Sequence, residues 1–124
     1  MKAGNQQTGA RLRVVLAPDV AIGPGKADLL EGVAETGSIA AAGRRLGMSY
    51  KKAWGLIEAL NVQFGTPLVT TSRGGNARGG AALTDLGKTV LDEYRKMEAK
   101  TTKAIASDLA RMRELLLKVS GREE

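Results

Sequence analysis

The sequence predicts a mainly α-helical domain with small β elements and a long C-terminal helix. A length of 124 residues suits one hydrophobic core. Hydrophobic residues make up 43% of the chain but aromatic residues only 3%, which favours an aliphatic, helical core. Apolar residues also recur at three- and four-residue spacing in several stretches, as they do on the buried face of a helix.

The composition also excludes several classes of function. The chain contains no cysteine and no histidine, which removes disulfides, thiolate or imidazole zinc sites and Ser-His-Asp catalysis. We therefore expect a protein that is not an enzyme. No apolar run approaches the length of a membrane span, and residues 1–11 lack the apolar centre of a signal peptide. These residues are predicted to form a flexible tail on a cytoplasmic protein without a membrane partner.

The first predicted elements are a strand and a helix. Residues 12–16 alternate as a short strand does, and Pro18 stops them. A Gly-Pro-Gly turn at residues 23–25 leads into a helix that starts near Lys26. Its apolar residues are spaced by three and four positions, and Gly37 is placed to end it.

Two further helices follow across a tight turn. Ser38 is predicted to cap a short helix over residues 39–46, and Ser49 a longer one over residues 50–64. At 100° per residue, the second of these turns one apolar face inward and an opposite face outward. The inward face consists of Ala53, Ile57, Leu60 and Phe64; the outward face of Lys51, Gly55 and Glu58.

The remaining elements are a hairpin and a final helix. Residues 68–71 and 80–83 are predicted strands, and the Gly-rich loop between them carries Arg73 and Arg78. Thr84 is placed to cap one continuous helix, about 54 Å long, which is longer than so small a domain can cover. From Ile105 onward its apolar residues step by four and three, the spacing of a coiled-coil seam. Residues 12–84 therefore form the predicted domain, and residues 85–124 a dimerisation helix for a homodimer.

Positive charge is concentrated in the middle of the chain. The formal net charge is +6. Residues 1–37 hold four basic and four acidic side chains, residues 38–82 hold six and one, and residues 83–124 hold nine and eight. A basic segment between two balanced ones predicts a surface that meets the phosphates of a nucleic acid.

Two helices joined by a tight turn and followed by a basic hairpin form a winged helix-turn-helix. In this arrangement the second helix enters the major groove of double-stranded DNA. The small residues 41–43 let the two helices cross closely. The start of the second helix combines its positive dipole end with polar and cationic side chains: Ser49, Tyr50, Lys51 and Lys52.

Several of these segments resemble the DNA-binding domain of the ModE family, the molybdate-responsive transcriptional regulators. They are ETGSI at 35–39, GMSYKKAW at 47–54, LN at 60–61, PLV at 67–69, the Gly-rich wing at 74–80 and LTDLG at 83–87. More distantly, the region looks like the N-terminal domain of LysR-type regulators. The resemblance spans roughly residues 11–97.

The resemblance implies roles for individual residues. Ser49, Tyr50, Lys51 and Trp54 match the family's recognition-helix motif, while Arg73 and Arg78 lie in its wing. It also implies a dimer whose two recognition helices enter successive major grooves, and a regulatory role near molybdenum metabolism. ModE proteins bind molybdate in two small β-barrel modules after this domain, and no residue here matches them, so we expect no cofactor.

Some assignments stay open at this point. Trp54 either packs at the edge of the buried face or contacts a base or sugar. Arg44 and Arg45 either face solvent or contact backbone phosphates. Glu58 either accepts a hydrogen bond from cytosine or only reduces the electrostatic repulsion among the basic side chains of this segment. A sequence-specific regulator is the favoured function. The alternatives are a non-specific architectural DNA-binding protein and an oxyanion-binding or interaction module.

Overall fold

The computed structural model describes residues 7–72 and 80–121, and within them five helices and two hairpins lie in sequence. The order is β1 (Val14–Ala17), β2 (Val20–Ile22), α1 (Pro24–Thr36), α2 (Ile39–Arg45), α3 (Tyr50–Phe64), β3 (Val69–Ser72), β4 (Gly80–Leu83), α4 (Asp85–Ala104) and α5 (Ala106–Ser120). Each pair of strands forms a two-stranded antiparallel sheet. The fold is mainly helical with small hairpins, as the sequence predicts.

The predicted helix ends are confirmed at four places. The hydroxyls of Ser38, Ser49 and Thr84 each accept a hydrogen bond at 3.0 Å from a backbone N–H three residues further on. These bonds satisfy amide groups that have no partner inside the helix. Gly37 ends α1 in the left-handed region, at φ 71°. Local chemistry therefore fixes where these helices begin and where α1 ends.

The predicted first strand is present as β1, at residues 14–17 instead of 12–16, but its partner β2 was not predicted. Pro18 does end the strand, but Asp19 adopts a φ of 67° and the chain turns back as β2. Val14 pairs with Ile22, and a bulge lies between Val15 and Ala17. The apolar segment after the turn is only three residues long, too short to show a periodicity by itself.

The prediction of one continuous final helix is also wrong. The helix is interrupted at Ile105, whose φ and ψ are −101° and 7°. Weak helix formers surround this point, namely Thr101, Thr102, Ser107 and Asp108. The interruption is local, because Leu109 still donates its N–H to the Ile105 carbonyl, at 2.8 Å, four residues earlier.

The core lies where α1, α2 and α3 meet the start of α4. Its fully buried side chains include Leu29, Leu30, Ile57, Leu60 and Tyr94. Arg95, next to Tyr94 in sequence, ties α4 to α1 through ion pairs with Asp28 at 2.9 Å and Glu31 at 2.8 Å. Burial opposes the charge of Arg95, but its hydrogen bonds to carboxylates more than offset this and raise its pKa. Apolar and ionic contacts at Tyr94 and Arg95 together hold α4 against α1.

Tyr94 predicts a loss of stability at high pH. Its hydroxyl donates to the Leu12 carbonyl, and burial, helped by the charge of Glu98, raises its pKa from 10.0 to about 12. The folded state therefore keeps the proton that the unfolded state loses. We expect this contribution, about 3 kcal/mol, to be intact below pH 10 and lost as the pH rises to 12. Urea denaturation across this range should show a smaller decline for Tyr94→Phe, and equal declines would contradict the assignment.

Candidate nucleic-acid interface

The turn between α2 and α3 is held by backbone hydrogen bonds. The N–H groups of Leu46 and Met48 both donate to the Gly43 carbonyl, at 3.0 and 2.9 Å. Gly47 between them has a φ of 72°, a region that favours glycine. The turn therefore gives α3 a fixed direction relative to α2.

Small residues bring α1, α2 and α3 close together. A Cβ on Gly43 would lie 2.9 Å from the Cβ of Ala53 on α3, and a Cβ on Gly32 would lie 2.8 Å from that of Ala42. Both distances are too short for real side chains, so glycine is required at each crossing. The predicted close crossing of α2 and α3 is confirmed.

The two faces of α3 differ as the helical periodicity predicts. Ala53, Ile57 and Leu60 are buried, and Phe64 is partly buried against the core. Lys51, Gly55 and Glu58 are exposed on the opposite side. Val62 lies on the same outward side and is 75% exposed, a feature the sequence analysis missed. Its helical angle, close to that of Lys51, is the signal that could have found it.

The beginning of α3 presents the predicted polar and cationic residues to solvent. Ser49, Tyr50, Lys51 and Lys52 are all exposed, Tyr50 by 59%. Neither lysine makes an ion pair with a residue in the described part of the chain. Free cations beside a positive helix end form a surface suited to phosphate oxygens.

The other predicted contact residues lie in different settings. Trp54 is 37% exposed at the edge of the buried face, so part of its surface is available to a partner. Arg44 is exposed at the end of α2, whereas Arg45 donates to Glu35 at 2.7 Å in a surface ion pair. Exposed pairs of this kind contribute at most about 1 kcal/mol, so a phosphate could replace Glu35. Arg73 and Arg78 lie outside the described residues.

Asn61 is a positioning residue that the sequence analysis did not identify. Its side-chain oxygen accepts the N–H of Leu68 at 2.8 Å, and its amide donates to the Val69 carbonyl at 3.1 Å. These bonds attach β3 directly to α3. The signal was a polar residue flanking an apolar helix face shortly before a strand. The hairpin that leads to the wing is therefore fixed to the helix that carries the lysines.

Other contacts anchor the same hairpin. The hydroxyl of Thr84 donates to the Pro67 carbonyl at 2.8 Å, and its N–H donates to the Leu68 carbonyl at 2.9 Å. Ala81 on β4 donates its N–H to the carbonyl of Gly37, at 2.9 Å. The two strands of the hairpin are thus held against the helical body.

A metal-binding cluster and a membrane-spanning helix are both absent from the described residues. No three carboxylates among residues 7–72 and 80–121 gather in a way that could hold a metal ion. Over the same residues, no helix is both long and apolar enough to cross a bilayer.

Comparisons with known proteins agree with this geometry. The model of the LysR family of bacterial regulatory helix-turn-helix proteins matches residues 26–88. The molybdenum-pterin-binding protein MopB of Rhodobacter capsulatus is 38% identical over 82% of this chain and 34% of its own length. The molybdenum transport protein ModE of Azotobacter vinelandii is 34% identical over 92% of this chain and 42% of its own. The chain thus spans well under half the length of these relatives.

The fold also matches a solved structure, that of full-length CbnR complexed with its target DNA. The match has a TM-score of 0.51 and 26% sequence identity, and it covers 70% of this chain and 28% of CbnR. The matching family consists of regulators and not of enzymes, which agrees with the prediction from composition. The chain therefore belongs to the LysR family of bacterial regulatory helix-turn-helix proteins and carries a helix-turn-helix DNA-binding domain of the LysR and ModE type.

Proposed function

We propose that this protein is a homodimeric regulator of transcription that recognises specific sequences in double-stranded DNA. The observation that carries the proposal is the start of α3, where Lys51 and Lys52 stand exposed and unpaired among described residues beside Ser49 and Tyr50. Because the turn and the Ser49 cap fix this helix, its side chains reach the groove without a large loss of conformational freedom. DNA as the partner places the site of action in the cytoplasm.

The contact residues fall into two groups. Ser49, Tyr50 and Lys51 lie where a recognition helix contacts base edges and the adjacent backbone, and exposed Trp54 extends this surface. Lys52, Arg44 and Arg45 are placed to bind phosphates, with Arg73 and Arg78 adding the wing. Lys51 also adds its charge beside the adjacent backbone. With Lys52, Arg73 and Arg78 it makes four cations per subunit, which would neutralise about eight phosphates in a dimer even without Arg44 and Arg45, and this predicts a steep dependence of affinity on salt.

An exposed apolar side of α5 supports a homodimer. None of its residues, all of which lie in the described part of the chain, is buried. Met112, Leu116 and Val119 are 69%, 48% and 86% exposed, and they fall on one face with Ile105 and Leu109. A stripe of this kind pairs well with the same stripe on a second copy. Two-fold symmetry then predicts half-sites about 34 Å apart.

A link to molybdenum is the finer part of the proposal. MopB and ModE carry molybdenum in their names, and both align over most of this chain. We propose that the regulated genes serve molybdenum metabolism. No described residue is assigned to molybdate, so a response to molybdate requires a direct binding measurement.

The experiment is selection of bound fragments from random and genomic DNA pools at physiological salt, with and without molybdate. We expect enrichment of an inverted repeat. Binding without enrichment, with equal competition by random DNA, would support a non-specific architectural protein instead. A rise in melting temperature on adding molybdate, with no selective binding to DNA, would favour an oxyanion-binding module.

Lys51 is expected to read a base. Lys51→Ala should weaken binding to the selected operator by about 1–3 kcal/mol and binding to random DNA by less, because the lost hydrogen bond is sequence-specific. Fluorescence anisotropy with both DNAs measures the difference. Lys88→Ala, at an exposed lysine on α4, is the matched control. Equal losses on the two DNAs would instead place Lys51 on a phosphate.

A further inference from the structure

The helical glycines of this chain divide into those that the fold requires and those that it does not. Within the described residues, a Cβ on Gly32, Gly43 or Gly87 would lie 2.9 Å or less from another atom. A Cβ on Gly25 or Gly55 would meet nothing within 4 Å. Gly25 stands in the first turn of α1, beside the proline that begins it, whereas Gly55 lies well inside α3.

No contact among the described residues explains a glycine at position 55. Glycine is a poor helix former in a helix interior because it loses the most backbone freedom on folding. Gly55 needs no left-handed backbone and faces open space. The space beside Gly55 is therefore open to a group that approaches α3 from outside.

The neighbours of Gly55 indicate what approaches. Lys51 precedes it by four residues and Glu58 follows it by three, so the three residues form one strip on the outward face. Lysine donates to guanine and glutamate accepts from cytosine, while Gly55 leaves a gap between them. A base edge can therefore come closer to the helix axis at Gly55 than at either neighbour.

The backbone chemistry of a helical glycine limits which group of a DNA base can fill the space beside Gly55. Inside a helix, its N–H and carbonyl are already paired with other backbone groups, so Gly55 offers only its Cα methylene and the space beside it. The apolar group exposed on base edges in the major groove is the 5-methyl of thymine. We propose that Gly55 is a specificity-determining residue whose gap accepts a thymine methyl, an inference that rests on the proposed function.

The test combines Gly55→Ala with removal of single methyl groups from the operator. In Gly55→Ala the added methyl occupies the gap, so we expect about tenfold weaker binding to the selected operator. The same variant should melt a few degrees higher, about 2–5 °C, because alanine favours the helix. Gly25→Ala, the control at the other open glycine, should leave operator affinity unchanged.

Replacing each thymine in turn by deoxyuridine locates the contact. At one position in each half-site, the wild type should lose several-fold in affinity, while Gly55→Ala should bind thymine and uracil equally or prefer uracil. Identical methyl dependence in the two proteins, or unchanged affinity in Gly55→Ala, would overturn the role of Gly55 while the enriched motif still supported the regulator. Failure of the wild type to enrich any motif would overturn both proposals.

Discussion

Leu109→Glu combined with Leu116→Glu is expected to convert a dimer into monomers that bind operator DNA about 10²–10⁴-fold more weakly. Both residues lie on the apolar stripe of α5, where Met112 is 69% and Val119 86% exposed. Charged side chains facing each other across a seam would repel and would have to be desolvated. A monomer then binds each half-site separately and loses the high effective concentration of the second recognition helix.

Sedimentation velocity and fluorescence anisotropy with the selected operator measure the two effects. The control is Ser107→Glu combined with Ala110→Glu, which adds the same charge on the opposite, exposed face of α5. This variant should remain a dimer with unchanged affinity. An unchanged sedimentation coefficient for the leucine variant would remove α5 as the dimer contact, and monomers of full affinity would remove the two-site model of binding.

Gly87→Ala is expected to lower the free energy of unfolding by about 3 kcal/mol or more. A Cβ at Gly87 would lie 2.1 Å from the carbonyl oxygen of Leu68 and 3.0 Å from its carbonyl carbon. The atoms it would meet are backbone, so no side-chain rotation relieves the overlap. Moving β3 away would break the bond from the Thr84 N–H to the same carbonyl and strain the bonds from Asn61.

Urea denaturation followed by circular dichroism measures this loss. Gly25→Ala provides the control, because its added Cβ meets no atom within 4 Å. We expect the control to keep at least the stability of the wild type. A change of less than about 0.5 kcal/mol in Gly87→Ala would show that the contact between Leu68 and α4 yields easily.

The elements that the sequence predicted well are those with strong local signals. The limits of α3 follow from the Ser49 cap and from the spacing of Ala53, Ile57 and Leu60, all within one segment. The β1–β2 hairpin was missed because β2 has only three residues. The break at Ile105 was missed because apolar spacing continues through it. The signal for the break was instead the group of weak helix formers around Ile105.

The candidate site shows the same division. Exposure of Lys51 and Glu58 could be predicted because it depends on angle around one helix. The pairing of Arg45 with Glu35 and the bonds from Asn61 to β3 could not, since each joins different elements. The exposure of Val62 could have been predicted from its angle around the helix, in the same way as that of Lys51.

By itself the sequence determined a helical DNA-binding domain of recognisable family, the caps of its helices and the face that α3 turns outward. The caps and the outward face depend on residues within one or two helical turns of each other, where periodicity and capping act, and the family resemblance rests on short motifs along the sequence. Only the tertiary structure distinguished Gly87, which the fold requires, from Gly55, which it does not. Gly55 and Gly87 are both helical, yet one faces open space and the other touches Leu68, nineteen residues earlier in the sequence. Such contacts arise only when distant segments pack together, and no local pattern encodes them.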